Sequence, residues 1–206
     1  MSGAFPISSA KFGTLGIKSS QTTIISKSDS GKRLARQIDN QRWGFTVQII
    51  TAKRSDVYGD LMAFIVKQRG GKENFTIIPP EIEDARGNEG GSVLVNGVHA
   101  VGDTTIAMDG FAGDGAGRFL AGDFISFNSH SKVYMVVASV TSSSNAATVT
   151  IEPPLITALA NNGAVTYDNV PFTVYLTSDV QEFGVVGSDK DGNLLYSFQF
   201  DVEEAL

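Results

Sequence analysis

One periodicity runs through almost the whole chain. Apolar residues alternate with polar or small ones in short stretches, and helical spacing occurs only once. The clearest stretch is residues 42–50, where Trp43, Phe45, Val47 and Ile49 fall on one side of an extended backbone. Side chains of a strand point alternately to its two faces, so this pattern predicts a half-buried strand with Trp43 in a core. Further strands are predicted over 21–27, 73–78, 104–108, 123–127, 132–140, 148–151, 165–167, 172–176, 180–186 and 194–202. Turn chemistry separates them at 28–32, 141–145 and 189–193, the last reading as a hairpin and 148–151 as a hairpin partner of 132–140. Residues 109–117 hold four Gly and read as a loop. Pro79-Pro80 and Pro153-Pro154 stand in two similar segments, 76–82 and 150–156, and each marks a strand leaving its sheet, because Pro cannot donate to a ladder. Residues 1–20 read as an extended arm or a first edge strand.

The single helical stretch follows the Trp43 strand. Val57, Leu61, Phe64, Ile65 and Gln68 recur at helical spacing, and Tyr58 and Met62 widen the stripe. Ser55 is placed to cap it, Asp56 suits the first turn, Lys67 and Arg69 the last, and Gly70-Gly71 stops it. A helix is therefore expected at about 55–69. One helix among many strands gives a mainly β chain. The acidic, polar run 81–91 reads as a long loop and a module boundary.

Composition excludes several chemistries. None of the 206 residues is Cys and only two are His, so disulfide scaffolds, thiol enzymes and Cys-based metal modules are ruled out. The longest apolar run, 61–66, is six residues, against about 20 for a membrane-spanning helix. The N-terminus lacks the basic-then-apolar pattern of a secretory signal, so synthesis and assembly in a cytoplasm are expected. The net charge of -6 hides an asymmetry: residues 1–80 carry 12 Lys+Arg and 5 Asp+Glu, residues 81–206 carry 4 and 17. Such a split fits nucleic-acid contact, unlike faces packing between subunits, or simply two modules of different history.

His130 lies beside Ser129 in a predicted turn, but no third group is evident to orient a Ser–His pair, and a solvated turn His is the simpler reading. The run 110–118 lacks the spacing of a dinucleotide loop and leads into a strand, and Gly31-Lys32 and Gly71-Lys72 lack that of a P-loop. Residues 189–193 open like a Ca²⁺ loop, yet the twelfth position is Phe200 rather than Glu. Asp109 and Asp114 make at most a weak cation pair. The cluster Lys32, Arg33, Arg36, with Arg42 beside Trp43, is the best hint of nucleic-acid contact, but it sits among short strands and turns and reads better as a solvated or subunit-contacting edge. No catalytic, cofactor or metal site is expected.

The order of blocks resembles a known group. Residues 30–33 (Ser-Gly-Lys-Arg), 41–47 (Gln-Arg-Trp-Gly-Phe-Thr-Val), the amphipathic helix, 68–76 (Gln-Arg-Gly-Gly-Lys-Glu-Asn-Phe-Thr) and Pro79-Pro80 resemble tail proteins of tailed bacteriophages, in particular the distal tail protein or baseplate hub ring component. Residues 120–124, 132–136 and 151–155 resemble the β module that follows in such proteins. The resemblance covers roughly 20–180. It implies a β-sandwich or rolled sheet with one packed α-helix over 1–91, a small β-barrel-like accessory domain over 92–169, and the return of 170–206 to the first sheet. It also implies a structural, non-enzymatic virion protein without cofactors. Such a protein forms a homo-oligomeric ring, a hexamer in this group, that joins the tail tube protein to the baseplate hub and other tail-tip proteins. In that setting Lys32, Arg33, Arg36, Arg42, Lys67 and Arg69 are candidate subunit contacts, with no membrane and no specific nucleic-acid partner. Larger members carry sugar-binding insertions, for which this chain is too short. Alternatives are a tube or tail-completion protein, or a carbohydrate-binding module for host adhesion using Asp109, Asp114, Trp43 and Tyr134.

Overall fold

The computed structural model describes residues 3–7 and 11–206. Of the opening stretch read as an arm or edge strand, residues 1, 2 and 8–10 lie outside the described residues. In chain order the first strands are β1 (Phe12–Ser20), β2 (Thr23–Lys27), β3 (Arg33–Gln37) and β4 (Arg42–Lys53). A π-helical turn at Arg54–Tyr58 leads into α1 (Gly59–Lys67), and β5 (Phe75–Ile77) follows. The middle of the chain supplies β6 (Leu94–Val95), β7 (Thr105–Asp109), β8 (Gly115–Ala116), β9 (Phe124–Phe127), β10 (Val133–Val136), β11 (Thr141–Ser142), β12 (Ala146–Glu152) and β13 (Val165–Thr166). The last strands are β14 (Phe172–Leu176), β15 (Gly184–Ser188) and β16 (Leu194–Glu204). The fold is mainly β, with a nearly closed, barrel-like sheet.

The first sheet runs β1-β4-β16-β14-β5, all antiparallel, and β15 pairs with β16. The second runs β13-β9-β10-β12-β7-β6. The chain thus leaves the first sheet after β5, builds the second, and returns through β14. Alternation sets both cores. Phe45, Val47 and Ile49 of β4, Phe198, Phe200 and Val202 of β16, and Phe172, Val174 and Leu176 of β14 pack with Leu61 and Ile65 of α1. The opposite face of the same strands is polar: Thr46 and Lys18 both hydrogen-bond the Asp201 carboxylate, and Arg42 reaches Glu203. Ile106, Met108, Phe119, Ile125, Tyr134, Val136, Val149 and Ile151 form the second core.

The loop expected over 109–117 and the turn expected over 141–145 contain β8 and β11, which pair with each other, and local expectations differ from the structure at four further places. Ser55 does not cap the helix: its hydroxyl donates to Asp56 Oδ1 at 2.9 Å, and the turn it belongs to is π-helical. That wider turn buries the consecutive residues Val57 and Tyr58, and the Tyr58 hydroxyl donates to the Ile50 carbonyl at 3.0 Å. The strand expected over 132–140 ends at Val136, because residues 137–139 swing outward before Val140 returns to donate to the Phe119 carbonyl. The expected hairpin between 132–140 and 148–151 shrinks to two residue pairs, the principal partner of β12 being β7. β15 begins at Gly184 rather than 180, since Gln181 Nε2 donates to the Ser178 carbonyl and holds residues 178–181 in a turn.

Candidate interaction surface

β2 and β3 form a hairpin that belongs to neither large sheet. The β-branched run 22–25 favours extension, and Gly31 at φ 79° closes the turn while Ser28 N–H donates to the Lys32 carbonyl at 3.0 Å. The register pairs Ile24 with Arg36, Ile25 with Ala35 and Ser26 with Leu34. One face therefore carries Ile24, Leu34 and Arg36, and the other Ile25, Lys27 and Arg33. Every residue of both strands is exposed, and Ile24, Ile25, Leu34 and Ile38 are each more than half open to solvent (56%, 54%, 51% and 52%). A bare two-stranded hairpin is marginal in water, and apolar side chains on both its faces suit a partner rather than solvent. At its base, residues 37–41 and residues 153–156 of the second module line a cleft of about 460 Å³.

Of the six candidate contact residues, the structure brings Lys32, Arg33 and Arg36 together on this arm. Arg42 stands at its base, half-buried and engaged with Asp39 (3.7 Å) and Glu203 (3.4 Å) of its own chain. Lys67 and Arg69 are exposed at the end of α1, a separate element. The four residues considered for carbohydrate do not converge. Trp43 is buried in the first core and Tyr134 in the second. Asp109 lies within β7, and Asp114 accepts Asn145 N–H at 2.8 Å, a backbone bond that holds its carboxyl below the usual range.

His130 is half-buried rather than solvated, and its neighbour Ser129 does turn toward it: Ser129 Oγ lies 2.8 Å from Nδ1, and Tyr134 Oη 2.7 Å from Nε2. Tyr134 accepts Ile156 N–H at 3.2 Å, and burial pushes its phenol up to about 12, so it stays a neutral hydroxyl. The hydrogen-bonded trio ties the turn at 129–130 to β10 and to the backbone at Ile156. In the Gly-rich run, Arg118 donates to the Asp114 carbonyl (3.1 Å) and Ser142 Oγ (3.1 Å). Gly110, at φ 78°, leaves no room for a Cβ beneath the Ser92 carbonyl. This loop is packed, not a phosphate cradle. Asp189 is taken up by Lys53 and by the backbone of Asp191 and Asn193. The Lys53 contact, with those to Asn193, holds its carboxyl far below the usual range. Among the described residues no group of three or more His, Asp or Glu is placed to hold a metal ion.

Sequence reasoning missed a buried polar cluster. Lys132 is fully buried; its Nζ donates to Gln41 Oε1 at 2.8 Å and to the Glu204 carboxylate. Glu204 also accepts Val133 N–H at 2.8 Å and Trp43 N–H at 3.1 Å, and the Trp43 indole N–H donates to the Val133 carbonyl at 2.9 Å. This cluster ties β4 and β16 of the first sheet to β10 of the second. Its one signal in the sequence was register: Phe198, Phe200, Val202 and Glu204 share the inward face of β16.

No known protein-family model matches the chain, and no curated protein matches it significantly.

Proposed function

We propose that this chain is a structural subunit of a bacteriophage tail, a ring-forming component of the distal tail or baseplate hub that joins the tube to tip proteins. The observation that carries the reading is the β2–β3 arm, an element exposed along both strands that displays four large apolar side chains and cations with no ion-pair partner among the described residues. Such an element contributes to assembly rather than to the stability of the isolated fold. The block order that resembles distal tail proteins supports the same reading. So does an architecture of one helix packed on a sheet that is interrupted by a second β module and then completed. The polar clusters described above are occupied in holding loops and modules together, which suits a scaffold. Sedimentation and electron microscopy of the purified full chain test it. Closed rings of several copies are the expected result, and a protein that stays monomeric at every concentration overturns it.

A further inference from the structure

The first sheet carries a second projection, at its other end. In the β4–β16 ladder Gly44 pairs with Glu203 and Lys53 with Leu195. The arm springs from the Arg42 end of β4, where Ser20 faces Arg42. The β15–β16 hairpin lies at the Lys53 end, where Lys53 contacts Asp189. With β4 twelve residues long, the two projections stand about 40 Å apart along the strands. They do not meet within one chain, but they are placed to meet head to tail between two.

They are complementary in three respects. Both offer unpaired backbone: β2 and β3 pair only with each other, and β15 pairs only with β16. Both expose apolar side chains: Ile24, Ile25, Leu34 and Ile38 on the arm, and Val180, Val185, Val186 and Leu194 at the other end. Their charges are opposite. Residues 23–37 carry Lys27, Lys32, Arg33 and Arg36 against Asp29, whereas residues 178–193 carry Asp179, Glu182, Asp189 and Asp191 against Lys190. Asp189 is held by Lys53 and Asp179 accepts Gly71 N–H, while Glu182 and Asp191 are exposed. None of the four arm cations forms an ion pair among the described residues.

We propose that the β2–β3 arm of one copy docks along the free edge of β15 in a second copy. This deepens the ring reading and rests on it. An open edge strand is a template for a further strand. A contact between two unlike patches is heterologous, and repeated with rotation it closes into a ring. Arm against arm would oppose like charges, so the symmetric alternative is disfavoured.

Because the chain has no Cys, introduced thiols report the contact cleanly. Full-length I25C protein is mixed with full-length V186C protein and oxidised, with V98C as an exposed control on the second module. A disulfide joining the first two, absent with the control, is expected. In parallel, Arg33→Glu/Arg36→Glu should weaken self-association by roughly tenfold or more, and mixing it with Glu182→Lys/Asp191→Lys should restore association. All of these positions are exposed, and circular dichroism checks that each variant keeps the parent fold. An assembly that forms without the cross-link and ignores the arm reversal overturns this docking but leaves the ring reading standing. A strict monomer that forms no cross-link overturns both. Binding of duplex DNA that is lost on the arm reversal, with no cross-link between copies, assigns the arm to nucleic acid and overturns the docking.

Discussion

Lys132 shows how much rests on one side chain. Burial drives Glu204 up and Lys132 down, each toward its neutral form, and their contact opposes that drift. Removing one partner strands the other. Lys132→Met should therefore cost about 3–5 kcal/mol in urea unfolding. Lys132→Met/Glu204→Gln, whose single amide oxygen can take the place of only one of the two oxygens that accept the Trp43 and Val133 N–H groups, should recover part of that loss. His130 gives a pH-dependent counterpart. Burial, with Lys132 second, lowers its pKa below the ordinary 6.5. As pH falls through 6.5 the unfolded chain takes up a proton before the folded one, so stability declines in that window and levels off once the folded imidazole also protonates. His130→Gln should flatten that part of a plot of melting temperature against pH. Sequence placed Trp43 correctly because Phe45, Val47 and Ile49, at the alternate positions that follow it, are all apolar. It misplaced His130 because the groups that bury it, Tyr134 and Phe127, act through a turn that alternation does not describe.

At the scale of elements, strands were legible in β4, β7, β14 and β16, where several alternate positions are buried, whereas the two-residue β6 was not read although Val95 is buried. The end of β10 was not legible, since residues 132–140 stay rich in apolar side chains while the backbone turns away after Val136. The first helical turn was misread for a related reason. Ser55 has the chemistry of a cap, but burial of Val57 and Tyr58 dictates a different turn. The β2–β3 arm was read as strand, turn and cationic edge; that it stands clear of both sheets was not in its local pattern. Replacing residues 23–37 by Asn-Gly should change unfolding free energy by only about 0.5 kcal/mol, because every residue of both strands is exposed and pairs with neither large sheet. The same replacement should abolish self-association in sedimentation.

In the whole molecule, the Trp43 cluster makes the two sheets one mechanical unit. Trp43 packs edge-on against Phe124 at 5.1 Å, and Phe124 lies 5.6 Å from Phe172, so a residue of the second sheet sits within the first core. Trp43 is the only Trp and is 6% exposed. Its emission should be blue-shifted in the folded chain, and its unfolding curve should coincide with that of far-ultraviolet circular dichroism. Two separated transitions would show that the modules unfold independently. The charge split also changes meaning. Of the 17 acidic residues beyond position 80, seven lie in 170–206 and so belong with the first sheet, so the split along the chain is not simply a split between two modules.

The chain alone determined its strand periods, most of its turns, its single helix and the absence of any thiol chemistry. These follow from backbone geometry and side-chain type over a few residues. Tertiary structure decided that β14 to β16 return to β4, that Lys132 meets Glu204 across 72 residues of sequence, and that a basic and an acidic projection face opposite ways. Each of those depends on which distant strands pair. Alternation tells a strand which face to bury, but the neighbour it pairs with is chosen by the packing of the whole core.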